Sequence, residues 1–177
     1  MSTIKIPVKY IDTRKYIVTA RPDEWCDNPT GWGNYSIVTF GMKLITDVDI
    51  DEYYTESGKL KPSYQAKVKA GKMFAIDIYQ HSSDSYTLHG EGMNCRWDTS
   101  SNCGFIIFND DYIKGASFED RMRYAREDLA EYTQWANGGV YDVNIKTDTG
   151  LDITACGGVY DVDSFIKGEL GDVDYEV

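Results

Sequence analysis

The sequence predicts an α+β fold, a single domain in which a largely antiparallel sheet packs against one main amphipathic helix at about residues 117–137. Three observations predict it. Pairs of short alternating runs, Ile4 to Tyr10 with Arg14 to Ala20 and Val140 to Lys146 with Leu151 to Cys156, surround turn residues and read as hairpins. Ser117-Phe118-Glu119-Asp120 is a capping-box pattern, in which a hydroxyl and a carboxylate exchange bonds with the first orphan amides of a helix. Cys103 to Phe108 is an unbroken apolar run, as a strand needs when both of its faces are covered.

Each element follows from its residues. Asp12-Thr13 supplies turn chemistry between the first two strands. Arg21 to Asn34 is dense in Pro, Gly, Asn and Asp and reads as a loop, with Trp25 and Trp32 expected to anchor it to its own domain. Tyr35 to Ile50 reads as extended, and Pro62-Ser63 opens a short helix through Ala70. Met73 to Tyr79 alternates cleanly, with Tyr86-Thr87-Leu88 as a short partner across Ser82-Ser83-Asp84-Ser85. After Ser117, the residues Phe118, Met122, Ala125, Leu129, Tyr132 and Ala136 form a stripe that faces the sheet, and Asn137-Gly138-Gly139 supplies a left-handed stop. The domain runs from 1 to 160. Residues 161–177 read as an acidic, partly disordered segment in which Phe165, Ile166 and Leu170 are the material for a short docking helix.

Composition narrows the function classes. The chain has 177 residues, 42% of them hydrophobic and 14% aromatic, which is enough for a substantial core. Its net charge of -11 argues against binding a phosphate backbone or an anionic membrane directly, so a charged partner is expected to be basic. Met1-Ser2-Thr3-Ile4-Lys5 leads straight into alternating residues without an apolar signal core, so the expectation is a cytoplasmic protein with no membrane span. The acids fall in two blocks: Asp47, Asp49, Asp51 and Glu52, then Asp161, Asp163, Glu169, Asp172 and Asp174. If the first block is extended, its odd-numbered aspartates share one solvent face.

Catalytic and metal readings find little support in spacing. His81, His89, Cys95 and Cys103 are residue types suited to tetrahedral zinc, but they lack the short paired spacing of a zinc knuckle. A nucleophilic Cys95 or Cys103 activated by His81 lacks an accompanying elbow or oxyanion glycine pattern. No nucleotide-binding glycine motif occurs, so no cofactor is expected. His81 is expected to hydrogen-bond at a strand end, and Asp98 to tie its own loop above a packed Trp97.

Four segments carry a resemblance. Ile76-Asp77-Ile78-Tyr79-Gln80-His81-Ser82, Cys95-Arg96-Trp97-Asp98 leading to Gly104-Phe105-Ile106-Ile107, Tyr132-Thr133-Gln134-Trp135 ending in Gly139-Val140-Tyr141, and Cys156-Gly157-Gly158-Val159-Tyr160 stand in this order. Together, over about residues 73–161, they resemble the signatures of a family of uncharacterised proteins from phages and mobile elements. The family pattern has an apolar strand into His-Ser-Gly, a Trp-Asp-Ser-Gly-Gln loop into Gly-Phe-Ile-Tyr, an acidic helix with Glu-Tyr and a closing Cys-Trp-Gly. Here Ser83 replaces a glycine, the loop after Asp98 is one residue longer, and Gly157 replaces a tryptophan.

The resemblance implies a setting in which small acidic proteins act against bacterial defence. The expected function is therefore an anti-CRISPR or anti-restriction inhibitor that binds a host nuclease without catalysis, its two acidic blocks imitating phosphates in a basic nucleic-acid channel. Two alternatives accompany it: an interaction module using Trp25, Trp32 and Trp97, and a Cys/His-dependent or zinc-dependent enzyme. The host target and the oligomeric state have no signature in the sequence.

Overall fold

The computed structural model describes residues 4–11, 14–40 and 49–171. In chain order they form strands β1 (Ile4–Ile11) and β2 (Arg14–Pro22), a 3-10 turn (Pro29–Trp32), β3 (Tyr35–Thr39), short helices α1 (Ile50–Tyr53) and α2 (Pro62–Lys69), then β4 (Met73–Gln80), β5 (Asp84–Leu88) and β6 (Thr99–Phe108). The long helix α3 (Phe118–Ala136), β7 (Tyr141–Thr147), β8 (Asp152–Val159) and α4 (Val162–Leu170) complete the chain. The fold is α+β and every strand pairing is antiparallel. The strands form two four-stranded sheets, ordered β1-β2-β7-β8 and β3-β6-β4-β5. The chain divides into two compact units, one made of the segments up to Asp27 and from Gln134 onward, the other of Asn28–Thr133.

In the first unit, the two expected hairpins are joined by β2 and β7, whose register pairs Val18 with Ile145 and Ala20 with Val143. Those four residues, with Val159 and Ile166, make its buried core, and Phe165 and Leu170 of α4 pack against it. Within the acidic segment, Phe165, Ile166 and Leu170 form the short docking helix for which they are the material: the Asp161 side chain caps it by accepting from Ser164 N at 3.0 Å, and burial of Ile166 fixes the inward face. Asp172 and Asp174 lie outside the described residues.

The second unit is organised around β6, which has β3 on one side and β4 on the other. Alternation sends Ile106 and Phe108 to one face and Phe105 and Ile107 to the other. On the first face α3 contributes Ala125, Leu129 and Tyr132, with the Tyr86 and Tyr132 rings 5.0 Å apart and edge-on. The second face is covered by an aromatic cluster in which Phe105 meets Phe40, Tyr53 and Tyr54. Both faces of β6 are thus covered, and its sequence is accordingly a continuous apolar run. Gly104 lets β3 approach: a Cβ there would lie 2.2 Å from the Val38 carbonyl oxygen. The helix start at Ser117 is as the capping box requires, with Asp120 N donating to Ser117 Oγ at 3.1 Å and Ser117 N donating to Asp120 Oδ2 at 3.4 Å.

The extended reading of Tyr35 to Ile50 holds only to Thr39. Residues 41–48, Asp47 among them, lie outside the described residues. Asp49 is not a strand residue: its carboxylate accepts from Asp51 N at 3.0 Å and caps α1, placing Asp51 and Glu52 in the first turn of a helix. An aspartate that can bond the amide two residues on gives the backbone a local alternative to the strand, and here that alternative prevails.

Candidate functional site

The most elaborated polar site of the second unit centres on Asp77. It lies in the middle of β4, where the pairing with β6 shifts register between Ile76 and Ile78. The bulge places a carboxylate inside the sheet layer, 6% exposed. Its Oδ1 accepts from Asn102 N at 2.6 Å and lies 2.7 Å from His89 Nδ1, and its Oδ2 accepts from Gly90 N at 2.8 Å. Asn102 adopts φ 50, in the left-handed region, as does Gly90 at φ 82. Burial by itself would raise the Asp77 carboxyl, but the two backbone N–H groups and His89 outweigh it and hold the group below the usual carboxylate range. Asp77 is therefore ionised at neutral pH. An ionised carboxylate only accepts, so His89 carries its proton on Nδ1 and presents Nε2, with half the imidazole exposed.

A second cluster lies where β4 ends. Asp98 Oδ2 accepts from Cys95 Sγ at 3.3 Å and stands 3.6 Å from His81 Nδ1. The carboxylate thus sits between the histidine and the thiol, and Cys95 is not in the arrangement of a base-activated nucleophile. Cys103 is buried, its Sγ directed at the Ile76 carbonyl, and burial pushes its thiol up, away from reactivity. The four residues considered for zinc are therefore divided: His81 and Cys95 attend Asp98, His89 attends Asp77, and Cys103 is in the core. Among the described residues no group of three or more His, Cys, Asp or Glu side chains could hold a metal ion.

The tryptophans depart most from expectation. Trp97 does not pack beneath its loop; it is 83% exposed, with Arg96 stacked 5.2 Å from its ring centroid. The loop below is tied by Thr99, whose Oγ1 donates to Met93 O at 2.8 Å and accepts from Cys95 N at 2.9 Å. Trp25 is 90% exposed and does not anchor the loop after β2, while Trp32 is half-exposed. In the first unit that task falls to Trp135, whose Nε1 donates to Cys26 O at 3.2 Å, and to Asp23, which accepts from Trp25 N and Gly158 N.

Of the acidic residues singled out, Asp49, Asp51, Glu52, Asp161, Asp163 and Glu169 are all exposed. They sit at helix starts and on helix surfaces, not along a strand. The unit from Asn28 to Thr133 also holds a groove of about 310 Å³ along β5, walled by Thr87, Leu88, Glu91 and, from α3, Arg126, Leu129 and Thr133.

The clean alternation of Met73 to Tyr79 does not single out Asp77 or its partnership with His89. One signal was available: the neighbouring Cys103–Phe108 run requires cover on both faces, so an acid on an adjacent strand is covered as well. No protein-family model, curated protein or solved structure matches the chain. Among the described residues, no helix is long and apolar enough to cross a membrane.

Proposed function

We propose that the protein acts by occupancy: a phage-encoded anti-defence inhibitor that binds the basic nucleic-acid channel of a host CRISPR effector or restriction nuclease in the bacterial cytoplasm. The acidic excess carries this reading. It extends over both units, and Asp49, Asp51, Glu52, Asp161, Asp163 and Glu169 hold their carboxylates at the surface where a basic channel meets them. Two helices set their positions, Asp49, Asp51, Glu52, Asp161 and Asp163 at helix starts and Glu169 in the last turn of α4. Long-range attraction between opposite fields accelerates encounter and falls with ionic strength.

A second reading is favoured by the tied loop that exposes Trp97, Met93 and Arg96, residue types enriched at interface hot spots. One experiment separates the two. Binding and cleavage are measured for a panel of purified CRISPR effectors and restriction nucleases at low and high salt, with a variant carrying Asp51→Lys, Glu52→Lys, Asp163→Lys and Glu169→Lys. A nuclease inhibited stoichiometrically at low salt, released at high salt and untouched by the variant supports channel occupancy. Inhibition unaffected by salt and charge reversal but lost on Trp97→Ala supports the aromatic contact. No inhibition of any nuclease removes the proposal.

A further inference from the structure

We propose that the C-terminal end of α2 and the start of α3 form a binding surface for single-stranded nucleic acid, with lysines on the phosphates and Phe118 against a base. This binding goes beyond the inhibitor reading and does not rest on it.

The first support is how charge is distributed. The chain is strongly acidic as a whole, yet residues 57–76 contain Lys59, Lys61, Lys67, Lys69 and Lys72 and no Asp or Glu. Net charge sets the distant field, whereas a phosphate in contact responds to the cations within a Debye length, about 8–10 Å. The fold keeps these lysines outward: helix α2 buries none of its residues. It is held by Tyr64, whose ring stacks on Tyr53 at 4.5 Å, and by Gln65 Nε2, which donates to Leu60 O at 2.6 Å. No acid lies within α2, so its lysines have no carboxylate one helical turn away. Lys67 and Lys69 suit the carbonyl end of the helix, but that accounts for none of Lys59, Lys61 and Lys72, which lie outside it.

The second support is convergence within this unit. Arg121 Nη1 donates to Ala70 O at 2.6 Å, which fastens the start of α3 to the end of α2. Lys72 meets Asp110 at 2.8 Å, and that hydrogen bond, with the charges of Lys67 and Arg121, holds the Asp110 carboxyl below the usual carboxylate range. Three cations thus share one field, and one exposed carboxylate does not neutralise them. Lys69 is exposed beside them on the last turn of α2.

Phe118 supplies the aromatic component. It is 45% exposed, with its ring 5.8 Å from that of Phe74 and edge-on to it. Gly71 makes room for it, since a Cβ there would lie 2.9 Å from the Phe118 ring. An exposed ring among cations is the composition that holds single strands: the cations follow the backbone, and the ring accepts an unstacked base. A duplex offers phosphates but keeps its bases stacked, so it engages the cations alone.

The test is fluorescence anisotropy of the full chain with labelled oligothymidylate, oligouridylate and a DNA duplex of the same length, each over a range of salt. Expected are saturable binding of a single strand at low salt, affinity that falls steeply with salt, and weaker binding of the duplex. The two single strands distinguish DNA from RNA, and binding of either supports the proposal. Lys67→Glu combined with Lys69→Glu should lose about 10-fold or more and flatten the salt dependence. Phe118→Leu should lose about 5-fold on single strands at unchanged salt dependence. Lys167→Glu, on α4 of the other unit, should stay within about 2-fold of wild type. Absence of binding at low salt overturns the proposal, as does affinity that the lysine pair does not change or a duplex bound as tightly as a single strand. Equal binding of labelled polyglutamate, with no effect of Phe118→Leu, overturns it in favour of an acidic protein partner. If the charge-reversed pair melts early, Lys67→Gln with Lys69→Gln decides, and unchanged affinity in that variant overturns it.

Discussion

The Tyr112 hydroxyl donates to Asp128 Oδ1 at 3.1 Å, while Oδ2 of the same carboxyl is buried with no hydrogen-bond partner among the described residues. Asp128 lies on the inward side of α3, 6% exposed, where the apolar stripe would call for a hydrophobic residue. Burial pushes its carboxyl up to about 6, against the favourable bond from Tyr112 and with help from Glu131 and Glu127. The same burial, with the charge of Asp128, raises the Tyr112 hydroxyl to about 12.

A stability consequence follows from that pair. A carboxyl raised in the folded state contributes stability that is fully present below its unfolded value near 4 and is lost as pH rises through about 6. A shift of this size corresponds to roughly 3 kcal/mol. Asp128→Asn keeps an acceptor for Tyr112 and cannot ionise. We expect it to be more stable than wild type by about 1–2 kcal/mol at pH 8 and equal to it near pH 4. Urea unfolding at the two pH values checks this, and a difference that does not change with pH would sink it.

Asp77 has the opposite sign. Its carboxyl is depressed in the folded state, so its contribution is present above the unfolded value and is lost as pH falls through the lowered one. Asp77→Asn replaces one acceptor oxygen by a donor facing groups that are already donors. With bonds from Asn102, Gly90 and His89 at stake, destabilisation of about 2–3 kcal/mol at pH 7 is expected, shrinking in acid. Equal stability of variant and wild type at pH 7 would show that the carboxylate is not holding the bulge.

These two aspartates also mark how far the sequence could be read. Local signals were sufficient for the Ser117 cap, the β4 and β6 strands and both hairpins, because each depends on residues close in the chain. The pairing of β2 with β7 was not legible, since Val18 meets Ile145 through a register that no local pattern encodes. Asp77 and Asp128 were hidden for a related reason: each occupies a position whose burial is decided by an element distant in sequence. At Asp49 the difficulty was competition, the alternation of Asp47 to Asp51 promising a strand while a single side-chain cap decided for a helix. The exposed Trp97 reverses the usual preference of an indole for cover, and its loop is held without it by the Thr99 hydroxyl, the Cys95–Asp98 contact and the bond from Gln80 N to Asp98 O.

Gly104 offers a sharper packing test. A methyl group there would meet the Val38 carbonyl at 2.2 Å and the Thr39 Cα at 3.1 Å, both backbone atoms of a paired strand that cannot rotate away. Gly104→Ala is expected to cost about 3 kcal/mol or more, or to prevent folding of the β3–β6 pair. A loss below about 1 kcal/mol in denaturant unfolding would mean that β3 and β6 stand farther apart at Gly104 than the pairing of Thr39 with Gly104 allows.

Two tryptophans of equal size should respond in opposite ways. Trp135 is partly buried and its Nε1 donates to Cys26 O, so Trp135→Phe removes a hydrogen bond that holds the loop after β2 and should cost about 1 kcal/mol. Trp97 is almost wholly exposed and touches chiefly Arg96, so Trp97→Ala should leave folding stability within about 0.5 kcal/mol. If the exposed indole is an interface anchor, the same Trp97→Ala change weakens partner binding by 10-fold or more, about 1.4 kcal/mol, and does so equally at low and high salt. Titration calorimetry against an inhibited nuclease reads that loss directly. A binding loss that disappears at high salt would assign the effect to Arg96 and the charge pattern around it, whereas a loss of folding stability would return Trp97 to the packed role that its size suggests.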